Sequence, residues 1–295
     1  DLQNKRVAII GSAASAIQVV PELAKQVGYL TVLQRTPNWI MARGRKFYSK
    51  KLITMLNLIP GLVNIYRRVQ SYMMSFTVEG VTLGHKRMDQ FETIAKDYLH
   101  EVIKDPVMRK TLTPNSRYGC KRGLVSDDFY PALLRDNVEL VAEGLKTVRP
   151  EGITTACGKE IDVDVIIYCT GYRILDYDRI NVIGLEGKSL AAQMAQSPTA
   201  YMGIAAVDFP NYFFAAGPNG LAINASYFVN VERNAKTIVR LLKQKQQAGI
   251  NALMVKQTVS DTYNQALALQ FSRFSWGASN CNSYYRTATG HAPFL

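Results

Sequence analysis

Gly11-Ser12-Ala13-Ala14-Ser15-Ala16 follows directly on the apolar run Val7-Ala8-Ile9-Ile10. A buried strand that ends in glycine and turns at once into a helix leaves backbone N–H groups unpaired at the turn. The positive end of the helix dipole adds to them, and together they suit a pyrophosphate. The spacing of Ile17, Val20, Leu23, Ala24 and Val27 predicts a helix over 15–27, with Gly28 as its C-terminal cap and a second strand over 30–33. Arg35 and Thr36 stand at the tip of that strand. A fold that binds NADH carries Asp or Glu there for the ribose hydroxyls. A guanidinium and a hydroxyl instead favour the 2′-phosphate of NADPH, because arginine grips phosphate through two parallel charged hydrogen bonds. The fingerprint departs from G-x-G-x-x-G/A at Ala13, whose methyl group stands where the second glycine lets the backbone come nearest the pyrophosphate. The competing reading is an ordinary buried βαβ unit.

Further along, Lys121 and Arg122 lie between Gly119 and Gly123, on a segment that reads as a loop. Taken alone, the pair is a solvated basic surface loop. It is followed by strand candidates at 138–141, 145–148 and 153–156, and then by a buried strand over 161–171 that ends in Thr170-Gly171. A Thr-Gly at the mouth of a parallel sheet lies where cofactors bind.

The elements that must position these residues fit a chain of 295 residues, 47% hydrophobic, large enough for two domains. The net charge of +12 is dispersed and comes with no nucleic-acid-binding motif, so anionic cofactors explain it better than nucleic acid does. Four scattered cysteines without a C-x-x-C pair indicate neither a disulfide framework nor a zinc site and fit a reducing cytoplasm. No apolar run reaches the length of a membrane span. The abrupt start at Asp1 and finish at Leu295 suggest a piece of a longer reading frame.

A mainly helical insertion is predicted over about 40–115. It opens on the basic group Arg43, Arg45, Lys46, Lys50 and Lys51 and carries an apolar stripe from Leu52 to Met73. Core packing is read for that stripe in preference to a helix lying on a membrane surface. Beyond Gly171, an apolar strand is read over 209–216, then the turn Gly217-Pro218-Asn219-Gly220, then a helix through Val231, Ala235, Ile238 and Leu242. His85, His100 and His291 match no motif and are read as structural.

The ordered set GSAASAIQ, LQRTPNW, CKRGLVSDDFYPALLRDNVELV, VDVIIYCTGY and YMGIAAVDFPNYFFAAGPN resembles the flavin-dependent Baeyer-Villiger monooxygenases, within the wider flavin-containing monooxygenase group. The branch similar to 4-hydroxyacetophenone monooxygenase is close. The resemblance implies an α/β fold: a Rossmann-like NADPH-binding domain over 1–172 with the helical insertion, and the C-terminal part of an FAD-binding domain over 173–295. It implies NADPH and FAD as cofactors, and O2 and a ketone as substrates of an insertion that gives an ester or lactone.

By the same resemblance Lys121 joins Arg35 and Thr36 on the 2′-phosphate, and Arg122 is the active-site arginine. Gly217, Pro218 and Asn219 lie near the flavin ring, and the aromatic stretch from Phe274 through Asn282, Tyr284 and Arg286 lies near the substrate. The family's first FAD-binding half would lie upstream of Asp1, so this chain alone is expected to bind FAD poorly and not to turn over. Two alternatives stand beside this reading: oxidation of nitrogen or sulfur by a flavin enzyme of similar layout, and a non-catalytic NADPH-binding module.

Overall fold

A computed structural model describes residues 1–44, 47–172, 176–220, 226–278, 281, 283 and 285–287. Arg45, Lys46, Asn282, Tyr284 and His291, singled out above, lie outside the described residues. The chain forms two compact units, Asp1–Tyr48 with Lys86–Tyr172, and Ser49–His85 with Arg173–Leu295.

The first unit is built on strands β1 (Arg6–Ile10) and β2 (Tyr29–Leu33), joined through helix α1 (Ala16–Leu23). Two short strands, β3 (Ile40–Met41) and β4 (Leu124–Val125), pair with each other. They are followed by β5 (Val138–Val141), β6 (Leu145–Arg149), β7 (Gly152–Thr155), β8 (Glu160–Asp162) and β9 (Val165–Tyr168). The main sheet has the order β5-β2-β1-β9, all parallel, with Ile10 opposite both Leu33 and Tyr168 and Leu33 opposite Val141.

Alternation along β1 sends its side chains to two cores. Val7 and Ile9 pack with Ala16, Ile17 and Val20 of α1 and with Leu99 of the helix Lys86–Val102. Ala8 and Ile10 pack with Leu33, Ile153 and Val163 against the antiparallel sheet β6-β7-β8. A sheet covered on both faces needs continuous apolar strands, and this is why Val7 to Ile10 reads as an unbroken run.

Two sequence expectations change in this unit. Helix α1 stops at Leu23, four residues early, and Gly28 is not its cap. Gly28 is required because a Cβ there would lie 2.8 Å from the Asn4 carbonyl oxygen. The single strand expected over 161–171 is two: β8, antiparallel to β7, and β9, parallel to β1. Val165, Ile166 and Ile167 are half-buried because β9 is the last strand of its sheet.

The second unit is helical, with Lys50–Leu58, Leu62–Ser75, Leu190–Gln196, Tyr227–Gln247 and Gln257–Phe271. Its core gathers Leu190, Met194, Ala200, Ala206, Phe209 and Phe214. The strand expected over 209–216 is absent: the segment runs through turns, with Asp208 and Asn211 in the left-handed region at φ 70 and 59. Phe209 and Phe214 are anchored by aromatic contacts with Tyr212 and need no ladder. The insertion is divided between the units, since Ser49–His85 packs with the second. No side chain of Lys50–Leu58 or Leu62–Ser75 is buried, contrary to the core packing expected of their apolar stripe. Cys157 and Cys169 are free. Among the described residues no helix is long and apolar enough to cross a membrane, and no His, Cys, Asp and Glu group could hold a metal.

Candidate functional site

The carboxyl ends of the parallel strands gather one set of candidates in the first unit. Gly11 leaves β1 at φ +108, and a Cβ on it would lie 2.6 Å from the Cys169 carbonyl oxygen. Only glycine combines that φ with that approach of backbone to backbone. The next residues climb into α1. The Ala13 carbonyl accepts the first helical hydrogen bond from Ile17 N–H at 3.0 Å. Among the described residues no acceptor meets the N–H groups of Ser12, Ala13, Ala14 and Ser15. These orphan donors at a helix N-terminus form a ready anion cradle. Its wall is held by Asn38, buried, whose Nδ2 donates to the Ser12 carbonyl at 3.2 Å. Thr170 and Gly171 follow Cys169 at the end of β9, both exposed, with Gly171 at φ +100.

Arg35 and Thr36 are exposed just beyond β2. The arginine stem runs beside the loop after β5, with its Cδ 3.9 Å from where a Cβ on Gly144 would sit. Lys121, 85 residues later in the chain, donates from Nζ to Thr36 Oγ1. Its pKa is pushed below the ordinary lysine value, first by burial and then by the charge of Arg35. Neither Arg35 nor Lys121 has a carboxylate partner among the described residues. Two cations and a hydroxyl thus face one spot without a counter-charge, an arrangement that favours a doubly charged anion. Arg122 is exposed and likewise has no ion pair among the described residues.

The scaffold under this cluster explains how distant residues meet. β3 follows Trp39 and pairs with β4, with Leu124 N–H donating to the Trp39 carbonyl at 2.9 Å. The ribbon ties the segment after Thr36 to the segment after Lys121. Trp39 Nε1 donates to the Ser116 carbonyl at 2.8 Å, and Lys96 lies over the Trp39 ring. Arg117 pairs with Asp89 and, at 2.8 Å, with Glu92 on the helix Lys86–Val102, while Tyr118 N–H donates to Glu92 at 2.9 Å. The Tyr118 ring fills the space under Gly123, where a Cβ would lie 2.1 Å from its hydroxyl oxygen. Burial raises that hydroxyl to about 12, so it stays neutral. Sequence reasoning missed Asn38, Arg117, Tyr118 and Glu92. The only local signal was the Arg-Tyr-Gly turn before the cations.

The second unit holds Gly217-Pro218-Asn219 in a turn pressed against Gly203, where an added Cβ would lie 2.1 Å from Gly220 Cα. Gly217 N–H donates to the Gly203 carbonyl at 2.9 Å. Asn219, at φ 57, donates from Nδ2 to Asn264 Oδ1 at 3.1 Å, and this fixes its amide orientation. Asn219 Oδ1 is buried and has no hydrogen-bond partner among the described residues.

A parallel sheet with a glycine turn, an open helix N-terminus and a cation pair at its carboxyl edge defines a dinucleotide-binding α/β protein. No family model matches the chain. It is 35% identical over 287 residues to a Baeyer-Villiger monooxygenase of Pseudomonas aeruginosa, covering 97% of this chain and 54% of that protein. A Baeyer-Villiger monooxygenase of Streptomyces coelicolor is 34% identical over 292 residues, covering 98% of this chain and 56% of that protein. Among solved structures, OTEMO in complex with FAD and NADP superposes with a TM-score of 0.86 at 25% identity, over 100% of this chain and 62% of that one. The chain is similar to these Baeyer-Villiger monooxygenases along nearly its whole length and spans about half the length of the curated relatives it matches.

Proposed function

We propose that this chain supplies the NADPH grip and part of the flavin surroundings of an FAD- and NADPH-dependent monooxygenase. The reaction inserts one oxygen atom of O2 beside a ketone carbonyl, giving an ester or lactone. The observation that carries the reading is the convergence of Arg35, Thr36 and Lys121, without a carboxylate partner among the described residues, on the edge of a dinucleotide-binding sheet.

The residues fit both cofactors. Arg35, Lys121 and the Thr36 hydroxyl match a 2′-phosphate in charge and donors, and the N–H groups of Ser12 to Ser15 match a pyrophosphate. Ala16 opens the helix behind them, and Ala13, at the second glycine position of the fingerprint, is exposed. Asn219 Oδ1, buried and without a donor among the described residues, suits a ring N–H of the flavin. Thr170 and Gly171 line the sheet edge beside Gly11. When bound, NADPH supplies a hydride and FAD activates O2. The chain's own task is to bind, orient and stabilise charge. Arg122 would stabilise negative charge that develops during oxygen transfer, since a guanidinium stays charged throughout.

The test is product analysis of the full-length protein, since this chain spans about half the length of its relatives, with FAD, NADPH, labelled O2 and a panel of ketones, amines and sulfides. One labelled oxygen in an ester or lactone is expected. Products oxidised only at nitrogen or sulfur, or no product at all, would replace this reading with one of the alternatives. The compartment read from the cysteine pattern is the cytoplasm. Alkylation of the cysteines in cell extracts tests it: reaction without a reductant is expected, and reaction only after reduction would overturn it.

A further inference from the structure

Between Thr36 and Val78 the chain carries seven cations, Arg43, Arg45, Lys46, Lys50, Lys51, Arg67 and Arg68, and no Asp or Glu. The same stretch contains the two helices whose side chains are never buried. Helix Lys50–Leu58 is capped by Ser49, whose Oγ accepts from Leu52 N–H at 3.2 Å, and Pro60-Gly61 separates it from Leu62–Ser75. On the longer helix, Ile65, Val69, Tyr72 and Met73 recur at i, i+4, i+7 and i+8 and form one stripe, each more than half exposed. A packed helix turns such a stripe inward. Here the helix is attached from its other side, where Arg67 pairs with Glu232 at 3.0 Å. Arg68 flanks the exposed stripe. On the shorter helix, Lys50 and Lys51 border a shallow apolar patch with Met55, Leu58 and Ile59, and Leu58 is 73% exposed. Lys50, Lys51 and Arg68 have no ion pair among the described residues.

We infer that this helical pair is a docking surface for an anionic phospholipid bilayer, lying in the headgroup layer without crossing it. Exposed apolar side chains edged by unpaired cations, in a stretch free of carboxylates, are what an interfacial helix requires: the apolar face enters the acyl boundary and the cations meet lipid phosphates. A second copy of the chain fits less well, because it would bring the same cations face to face in a protein of net charge +12. The inference is independent of the cofactor sites.

The experiment is co-sedimentation of the purified protein with vesicles of phosphatidylcholine alone and of phosphatidylcholine mixed with phosphatidylglycerol. Binding is expected to the mixed vesicles only, and to weaken as salt is raised. The triple variant Lys50→Gln, Lys51→Gln, Arg68→Gln is expected to lower partitioning roughly a hundredfold, at about fivefold per cation, with NADPH affinity unchanged. The pair Ile65→Ser, Val69→Ser is expected to lower it with the cations intact, and both variants keep the far-ultraviolet circular dichroism of the parent. Three results overturn the inference: no binding to anionic vesicles, equal binding to neutral ones, or a dimer in size-exclusion chromatography that Ile65→Asp dissociates.

Discussion

Lys121→Met separates the phosphate assignment from a structural one because it has opposite effects with and without nucleotide. In the unliganded protein Lys121 is a half-buried ammonium facing Arg35, and both burial and the neighbouring charge oppose its protonated form. Methionine keeps the apolar stem and removes the charge, so the unliganded protein is expected to melt at a higher temperature. With NADPH bound, the same ammonium is one of two cations on the 2′-phosphate. A hydrogen bond to a charged group contributes about 1.5–3 kcal/mol, and each ~1.4 kcal/mol is a factor of ten, so NADPH is expected to bind roughly 10- to 150-fold more weakly. NADH, which lacks that phosphate, is expected to bind unchanged. Nucleotide fluorescence titrations give both affinities, and thermal melts with and without NADPH give the change of sign, since ligand stabilisation follows the dissociation constant. Equal losses for NADPH and NADH, or a lower melting temperature without nucleotide, would refute the reasoning.

Three further outcomes follow from the same geometry. Because burial and Arg35 lower the Lys121 pKa, its ammonium deprotonates at lower pH than an ordinary lysine. NADPH affinity is therefore expected to fall as pH rises through that lowered value, while the unliganded fold gains stability there because the unfolded chain still binds the proton; Lys121→Arg should abolish both trends in pH-dependent titrations and melts. Gly123→Ala drives a methyl group into Tyr118 and is expected to cost about 1–3 kcal/mol in a denaturant melt and to weaken NADPH by shifting the Lys121 loop, with partial recovery in the double variant with Tyr118→Phe. Arg122→Ala should keep NADPH affinity and lose oxygenated product relative to NADPH consumed, and Arg122→Lys should recover part of it; unchanged product would remove Arg122 from the chemistry.

The opening of the fold was legible because its signals are local. An apolar run, a glycine and a helical period sit within thirty residues, and each is imposed by the backbone conformation it serves. The end of α1 was not: residues 24–26 form a turn and Val27 bridges to Gln3, a pairing that helical periodicity does not contain. The segment 209–216 reads as a strand on apolarity alone, yet left-handed Asp208 and Asn211 break any ladder, and its aromatic residues are satisfied by one another. The stripe on Leu62–Ser75 shows the same limit from the other side: the period says that a face exists, and only the fold says that this unit leaves it uncovered.

The candidate site divides along the same line. Arg35 and Thr36 announce themselves by standing at the tip of β2, but Lys121 becomes their neighbour only through a two-residue ribbon, β3 with β4, too short to stand out in a hydrophobic pattern. What holds Lys121 there against the repulsion of Arg35 is apolar packing and ion pairing one step removed: Tyr118 under Gly123, and Arg117 on Asp89 and Glu92. Carboxylates in this region bind the loop and not the two cations, so the positive charge stays open to an incoming phosphate. Had Asp89 or Glu92 paired with Lys121 instead, the unliganded fold would be more comfortable and the nucleotide would have to break an ion pair to bind. Because those acids pair with Arg117 and Tyr118, the basic loop is left without a counter-charge among the described residues.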